Sequence, residues 1–150
     1  MSQSLASVKL HVVFSTKCRN PWLVPELRSD CYQYLTAVAK NNGSHVYEVG
    51  GVSDHIHILL TLPRTVALSE FISMLKTSTS RWLKTKDIGL RHFAWQTGYG
   101  VFSVSESQIE HVRQYIRNQE IHHRKQTFKN ELIKFLTMSN VPYQEQYLLD

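Results

Sequence analysis

A chain of 150 residues, 42% hydrophobic and 19% charged, can bury a substantial core and does not have the composition of a disordered segment. No apolar run approaches the roughly 20 residues that a bilayer-spanning helix needs. The opening MSQSLASVKLHVVF lacks the pattern of a secretory leader, and two cysteines are too few for a disulfide framework, so one cytoplasmic domain over 1–150 with reduced thiols at Cys18 and Cys31 is expected. The net charge of +5 suits a polyanionic partner such as nucleic acid without singling one out.

In chain order, residues 8–15 alternate, with Val8, Leu10, Val12 and Phe14 on one face, and predict a strand. Pro25 suits the first turn of a helix that carries Leu27, Cys31, Leu35 and Val38 at helical spacing and ends at Asn42-Gly43. Residues 45–51 and 55–62 predict two strands of a hairpin turned by GVSD and stopped by Pro63. A helix follows over 67–83, with Leu68, Phe71, Ile72, Leu75 and Trp82 on its apolar side and Lys76, Arg81 and Lys84 opposite. The aromatic stretch 93–105 reads as a strand or bent strand. Ser105 with Gln108 predicts a capping box for a helix over about 106–124, and Thr127 caps a last helix to about 138. The order β-α-β-β-α-β-α-α gives an α+β fold, the ferredoxin-like split βαβ sandwich with an antiparallel sheet and two crossover helices. The surplus C-terminal helices are expected at a sheet edge or on a partner chain.

Two places carry chemistry. In DHIHILLTL, residues 54–62, His55 and His57 fall on the same side of a strand, opposite Ile56, Ile58 and Leu60. Taken alone, such a pair is more often two partly exposed side chains on a solvated sheet face than a metal site, because two imidazoles lack a third ligand. The helix QIEHVRQYIRNQEIHH has a buried stripe of Ile109, Val112, Ile116 and His123. Arg113, Arg117 and Arg124 lie on its far side, and Tyr115 and Gln119 lie one turn apart on a flank. Taken alone, Tyr115 is a half-buried aromatic and Gln119 a surface amide. Together with the histidines, Gln119 could offer a third, oxygen ligand to a divalent ion.

His55-Ile56-His57 resembles the histidine–hydrophobic–histidine (HUH) motif, and Tyr115-Ile116-Arg117-Asn118-Gln119 resembles the tyrosine-x-x-x-glutamine helix of the single-tyrosine transposases of prokaryotic insertion sequences, the IS-two-hundred-like group. The likeness covers nearly the whole chain. It implies an enzyme that cuts and rejoins single-stranded DNA at hairpin ends, with Tyr115 as nucleophile forming a 5′-phosphotyrosine. It also implies a divalent metal held by His55, His57 and Gln119, where mixed nitrogen and oxygen ligation suits Mg²⁺ or Mn²⁺. A homodimer, with the histidines and the tyrosine helix drawn from one chain or from two, is a further implication. No Asp or Glu stands in an evident general-base position relative to Tyr115. Lys76, Arg81, Lys84, Arg113, Arg117, Arg124 and Lys125 are candidate phosphate contacts. A repeat-associated nuclease with the same chemistry, a hairpin-binding module that has lost catalysis and a phosphodiesterase with paired histidines are the alternatives.

Overall fold

A computed structural model describes residues 2–150. The strands are β1 (Lys9–Ser15), β2 (Val46–Gly51), β3 (His55–Thr61) and β4 (Gly100–Ser103), and the helices are α1 (Pro25–Asn41), α2 (Leu68–Lys84), α3 (Ile109–Arg117), α4 (Gln119–His122) and α5 (Phe128–Met138). The sheet order is β2-β3-β1-β4, with every neighbouring pair antiparallel. This is the expected split βαβ topology.

Strand alternation divides the sheet into two unlike faces. Leu10, Val12 and Phe14 of β1 and Ile56, Ile58 and Leu60 of β3 point the same way, into a core with Cys31 and Leu35 of α1 and Phe71, Ile72 and Leu75 of α2. The opposite face carries His11 and Val13 from β1 and His55, His57 and Leu59 from β3. All five are buried, because α3, α4 and α5 lie across it. Leu59 packs with Ile109 and Ile116, and Val13 packs with Phe128, Leu132 and Leu136. The C-terminal helices therefore cover the second face of the sheet rather than an edge or a partner chain. The reason is that α3 and α5 each present an apolar stripe, and this face offers Val13, Leu59 and Phe102 to match it. No helix among the described residues is long and apolar enough to cross a membrane.

Three local expectations change. The helix expected over about 106–124 is broken: α3 stops at Arg117, Asn118 leaves the helical range at φ −95° and ψ 21°, and α4 restarts at Gln119. Asparagine is a poor interior helix residue because its amide competes for backbone partners. The capping box does not form. Ser105 makes no capping bond and pairs with the Ser107 hydroxyl at 3.1 Å, and a 3-10 turn precedes α3. The strand read over 93–105 shrinks to β4 and one isolated bridge between Thr16 and Trp95. Thr127 does cap α5, accepting from the Asn130 N–H at 3.2 Å.

Two features bring α3 down onto the sheet. Gly50 of β2 lies opposite His57, on the same face, and a Cβ there would stand 2.5 Å from the Ile116 carbonyl oxygen. Glu48 of β2 takes both Arg117 (3.1 Å) and Arg113 (3.6 Å) from α3. Gly50→Ala must push the end of α3 off the sheet. It is expected to lose about 1–3 kcal/mol of stability, read as a lower urea midpoint at unchanged m-value; an unchanged midpoint would show that α3 is not held by this contact.

Candidate active site

Five stretches of chain meet on the polar face of the sheet. β3 supplies His55 and His57, β1 supplies His11, α3 supplies Tyr115, α4 supplies Gln119, and the segment 123–131 supplies His123 and Glu131. His55 and His57 have no solvent exposure, and Gln119 and Glu131 have 1% each. The bland alternative of a solvated histidine pair is thus overturned, since α5 roofs both rings.

Glu131 is the hub. Its Oε1 lies 2.8 Å from His57 Nε2 and 3.5 Å from His55 Nε2. Its Oε2 accepts from Gln119 Nε2 at 3.1 Å, accepts a very short bond from the Tyr115 hydroxyl, and lies 3.2 Å from His123 Nε2. The far nitrogens of the three rings are fixed by other groups. Asp54 Oδ1 accepts from His55 Nδ1 at 2.7 Å, His11 Nε2 pairs with His57 Nδ1 at 2.8 Å, and the Gln126 carbonyl accepts from His123 Nδ1 at 3.0 Å. His55 Nε2 also lies 3.1 Å from Gln119 Oε1. Tyr115 stacks on His122, with centroids 4.6 Å apart, and faces a cavity of about 290 Å³ lined also by His11, His111 and Phe135.

The electrostatics follow from this crowding. Burial lowers His11 to about 3, helped by His57, and burial lowers His57 to about 4 despite Glu131. Burial also opposes the charge on His55, but hydrogen bonds to Asp54 and Glu131 more than offset it and raise its pKa. Burial would raise Glu131, yet the three histidines hold it well below the usual carboxylate range. Burial and then the adjoining carboxylate push the Tyr115 phenol up, so it holds its proton firmly in this arrangement.

Residues 55, 57, 115 and 119, singled out in the sequence, thus converge within one chain. His123, which was placed only in a buried stripe, joins them. Glu131, His11 and Asp54 were not anticipated. Glu131 was detectable in principle, because it lies three residues after Phe128 and one before Leu132 on the apolar stripe of α5, where an unpaired carboxylate would be costly. His11 shares the alternating register of β1 with Val13. The basic residues are more dispersed. Lys76 donates to the carbonyls of Gln96 (2.9 Å) and Gly98 (2.6 Å), and Arg113 and Arg117 are drawn to Glu48. Arg81 and Lys84 line a cleft with Trp95 and Tyr99, and Arg124 and Lys125 line another with Arg19 and Arg28.

His55, His57, His123 and Glu131 each offer a ligand atom, and all four atoms lie within 4.8 Å of one another. The donor set fits a divalent cation.

Residues 4–119 match the family model described as "Transposase IS200 like". The chain belongs to the IS200-like transposases. It is 28% identical to the ISDra2 transposase TnpA of Deinococcus radiodurans over 119 residues, covering 75% of this chain and 84% of that protein. It is 29% identical over 117 residues to the transposase for insertion sequence element IS200 of Salmonella typhimurium, covering 74% and 76%. A crystal structure of a candidate transposase from D. radiodurans superposes with a TM-score of 0.61 at 25% identity, covering 79% of this chain and 96% of that one. A REP-associated tyrosine transposase bound to a REP hairpin gives a TM-score of 0.59 at 16% identity, covering 82% and 74%, a likeness of fold. The family match ends at Gln119, so His123 and Glu131 lie beyond it.

The two depressed histidines set the acid response. Unfolded, both rings take a proton near 6.5; folded, they stay neutral to about 4 and about 3. The unfolded state then binds more protons below 6.5, and stability falls as pH falls, by on the order of 2 kcal/mol for each ring by pH 5. His55 has the opposite sign: its contribution is complete below 6.5 and is lost as pH rises. Glu131 is lost only below the ordinary carboxylate range. The urea midpoint of metal-free protein is therefore expected to peak near neutrality and fall steadily from pH 6.5 to 4.5; a flat profile there would contradict neutral buried rings.

Proposed function

We propose that the protein cleaves and rejoins single-stranded DNA at hairpin ends of an insertion sequence, with Tyr115 as nucleophile. The observation that carries this reading is that the Tyr115 hydroxyl and the Nε2 atoms of His55 and His57 contact one carboxylate, Glu131, within one chain. Membership of the transposase family supports the class of reaction.

The chemistry assigned to the chain is a transesterification. Tyr115 Oη bonds to the scissile phosphorus and its proton leaves; the bond from phosphorus to the 3′ oxygen breaks, and that oxygen gains a proton. The 5′-phosphotyrosine conserves the ester, so a 3′-hydroxyl can later reverse the step without an energy cofactor. The acceptor bonded to the Tyr115 hydroxyl is Glu131, which is the candidate to receive its proton once substrate and metal change the balance of charge. His55, His57 and Gln119 would hold a divalent ion, Mg²⁺ or Mn²⁺. Bound there, that ion supplies charge neutralisation to the non-bridging phosphate oxygens.

The cavity beside Tyr115 gives the phosphate a side entrance under the exposed end of α5, flanked by His111, His122 and Lys134. Arg81 and Lys84 in one cleft and Arg124 and Lys125 in the other are the stronger candidates for phosphate contacts, since Lys76, Arg113 and Arg117 have partners of their own. Such contacts hold a strand without reading its sequence. Tyr115 and the histidines meet within one chain here. That does not oppose a homodimer.

Incubated with Mn²⁺ and single-stranded DNA carrying the cognate hairpin end, the protein is expected to form an adduct that survives denaturing electrophoresis. Tyr115→Phe should abolish the adduct while leaving hairpin affinity within about threefold, because phosphate contacts elsewhere dominate binding. An adduct formed by Tyr115→Phe protein, or formed equally well in chelator, would refute the assignment.

A further inference from the structure

Glu131 and His123 lie outside the stretch that places this chain in its family, yet they are packed into the centre of the site. We propose that both are ligands of the divalent ion, closing with His55 and His57 a cage of three imidazoles and one carboxylate. The proposal rests on the reading that this chain binds such an ion, and it deepens that reading by adding two ligands to the histidine pair.

The first support is spacing. A metal with ligand bonds of about 2.1 Å separates adjacent donors by about 3.0 Å in octahedral and about 3.4 Å in tetrahedral geometry. Glu131 Oε1 stands 2.8 Å from His57 Nε2 and 3.5 Å from His55 Nε2, and Glu131 Oε2 stands 3.2 Å from His123 Nε2. These separations are compatible with ligands around a shared ion, and all four donor atoms lie within 4.8 Å of one another.

The second support is orientation. Metal-binding imidazoles use their other nitrogen on a carboxylate, carbonyl or similar group, which fixes the ring. All three rings do so here, through Asp54, His11 and the Gln126 carbonyl. Each therefore turns its Nε2 toward Glu131.

The third support is an orphan. His123 Nε2 is buried and has no hydrogen-bond partner. With Nδ1 turned to the Gln126 carbonyl, the ring aims Nε2 at a carboxylate oxygen 3.2 Å away. A cation between Nε2 and that oxygen would be held by both. Gln119 donates to Glu131 Oε2 and keeps its own oxygen turned to His55 Nε2. That amide oxygen adds a further hard donor to the set, as suits Mg²⁺ or Mn²⁺.

A consequence is that the ion couples the roof to the sheet. His55 and His57 belong to β3, whereas His123 and Glu131 belong to the segment that folds over it. A bound ion thus ties α5 down, and anything that binds only this folded arrangement raises its stability.

Mn²⁺ binding to the full-length protein without DNA, followed by calorimetry and by the thermal midpoint, tests the proposal. Glu131→Gln and His123→Asn should each weaken Mn²⁺ binding by at least about tenfold and shrink the Mn²⁺-induced rise in midpoint. X-ray absorption of the wild-type protein loaded with Co²⁺ should count three imidazoles, a readout that needs no variant to fold. Wild-type affinity in Glu131→Gln, or tighter binding there, would overturn the proposal, since a carboxylate that merely blocks the site would then be competing with the metal. Two imidazoles in the Co²⁺ spectrum would likewise overturn it. Failure of the transposase reading shows separately, as a missing DNA adduct with metal binding intact.

Discussion

A carboxylate removed from water must keep its charge balanced or surrender it. Glu131, with 1% exposure, keeps its charge by gathering three imidazoles, a phenol and an amide around two oxygens. That requirement explains more of the molecule than any single packing contact. It agrees with where the apolar stripe docks α5, since Glu131 there reaches both histidines of β3. The turn from α4 into α5 brings His123 to the same carboxylate. The same requirement also places the Tyr115 hydroxyl beside the paired histidines, and this adjacency makes the site a candidate for chemistry at a phosphate.

The sheet makes the arrangement possible by separating oil from polar groups. A strand repeats every two residues, so β1 and β3 deliver leucine, valine and isoleucine to one face and histidine to the other without interruption. The apolar face takes α1 and α2 in the ordinary manner of a split βαβ sandwich. The histidine face could not be left to water once α3 and α5 had apolar stripes to bury, and those stripes land on Leu59, Val13 and Phe102 at its borders. The imidazoles are left in the middle, in a medium where unpaired polar atoms are costly and paired ones interact strongly.

Charge counted from the sequence overstates the free basic surface. Arg113 and Arg117 are partly neutralised by Glu48 in clamping α3 to β2, and Lys76 holds a loop by its carbonyls. Of the candidate phosphate contacts, Arg81 and Lys84 lie in a cleft beside α2 and Arg124 and Lys125 in another around the turn after α4, with the nucleophile candidate between the sheet and α5. For an IS200-like transposase, that separation is a property of the fold and not of composition.

The amino-acid sequence alone carried the element order, and with it the antiparallel sheet, because hydrophobic period and caps are local properties. It also carried the histidine pair and the Tyr115–Gln119 spacing, since each lies within one continuous segment. The break at Asn118 and the failure of the Ser105 cap were not legible, as both depend on what the helix rests against. Nor was the burial of His55 and His57, which depends on helices more than fifty residues away. Glu131 and His123 were decided only by tertiary structure, for a physical reason: a cluster of donors is defined by distances in space, and these two residues acquire theirs when α5 closes over β3.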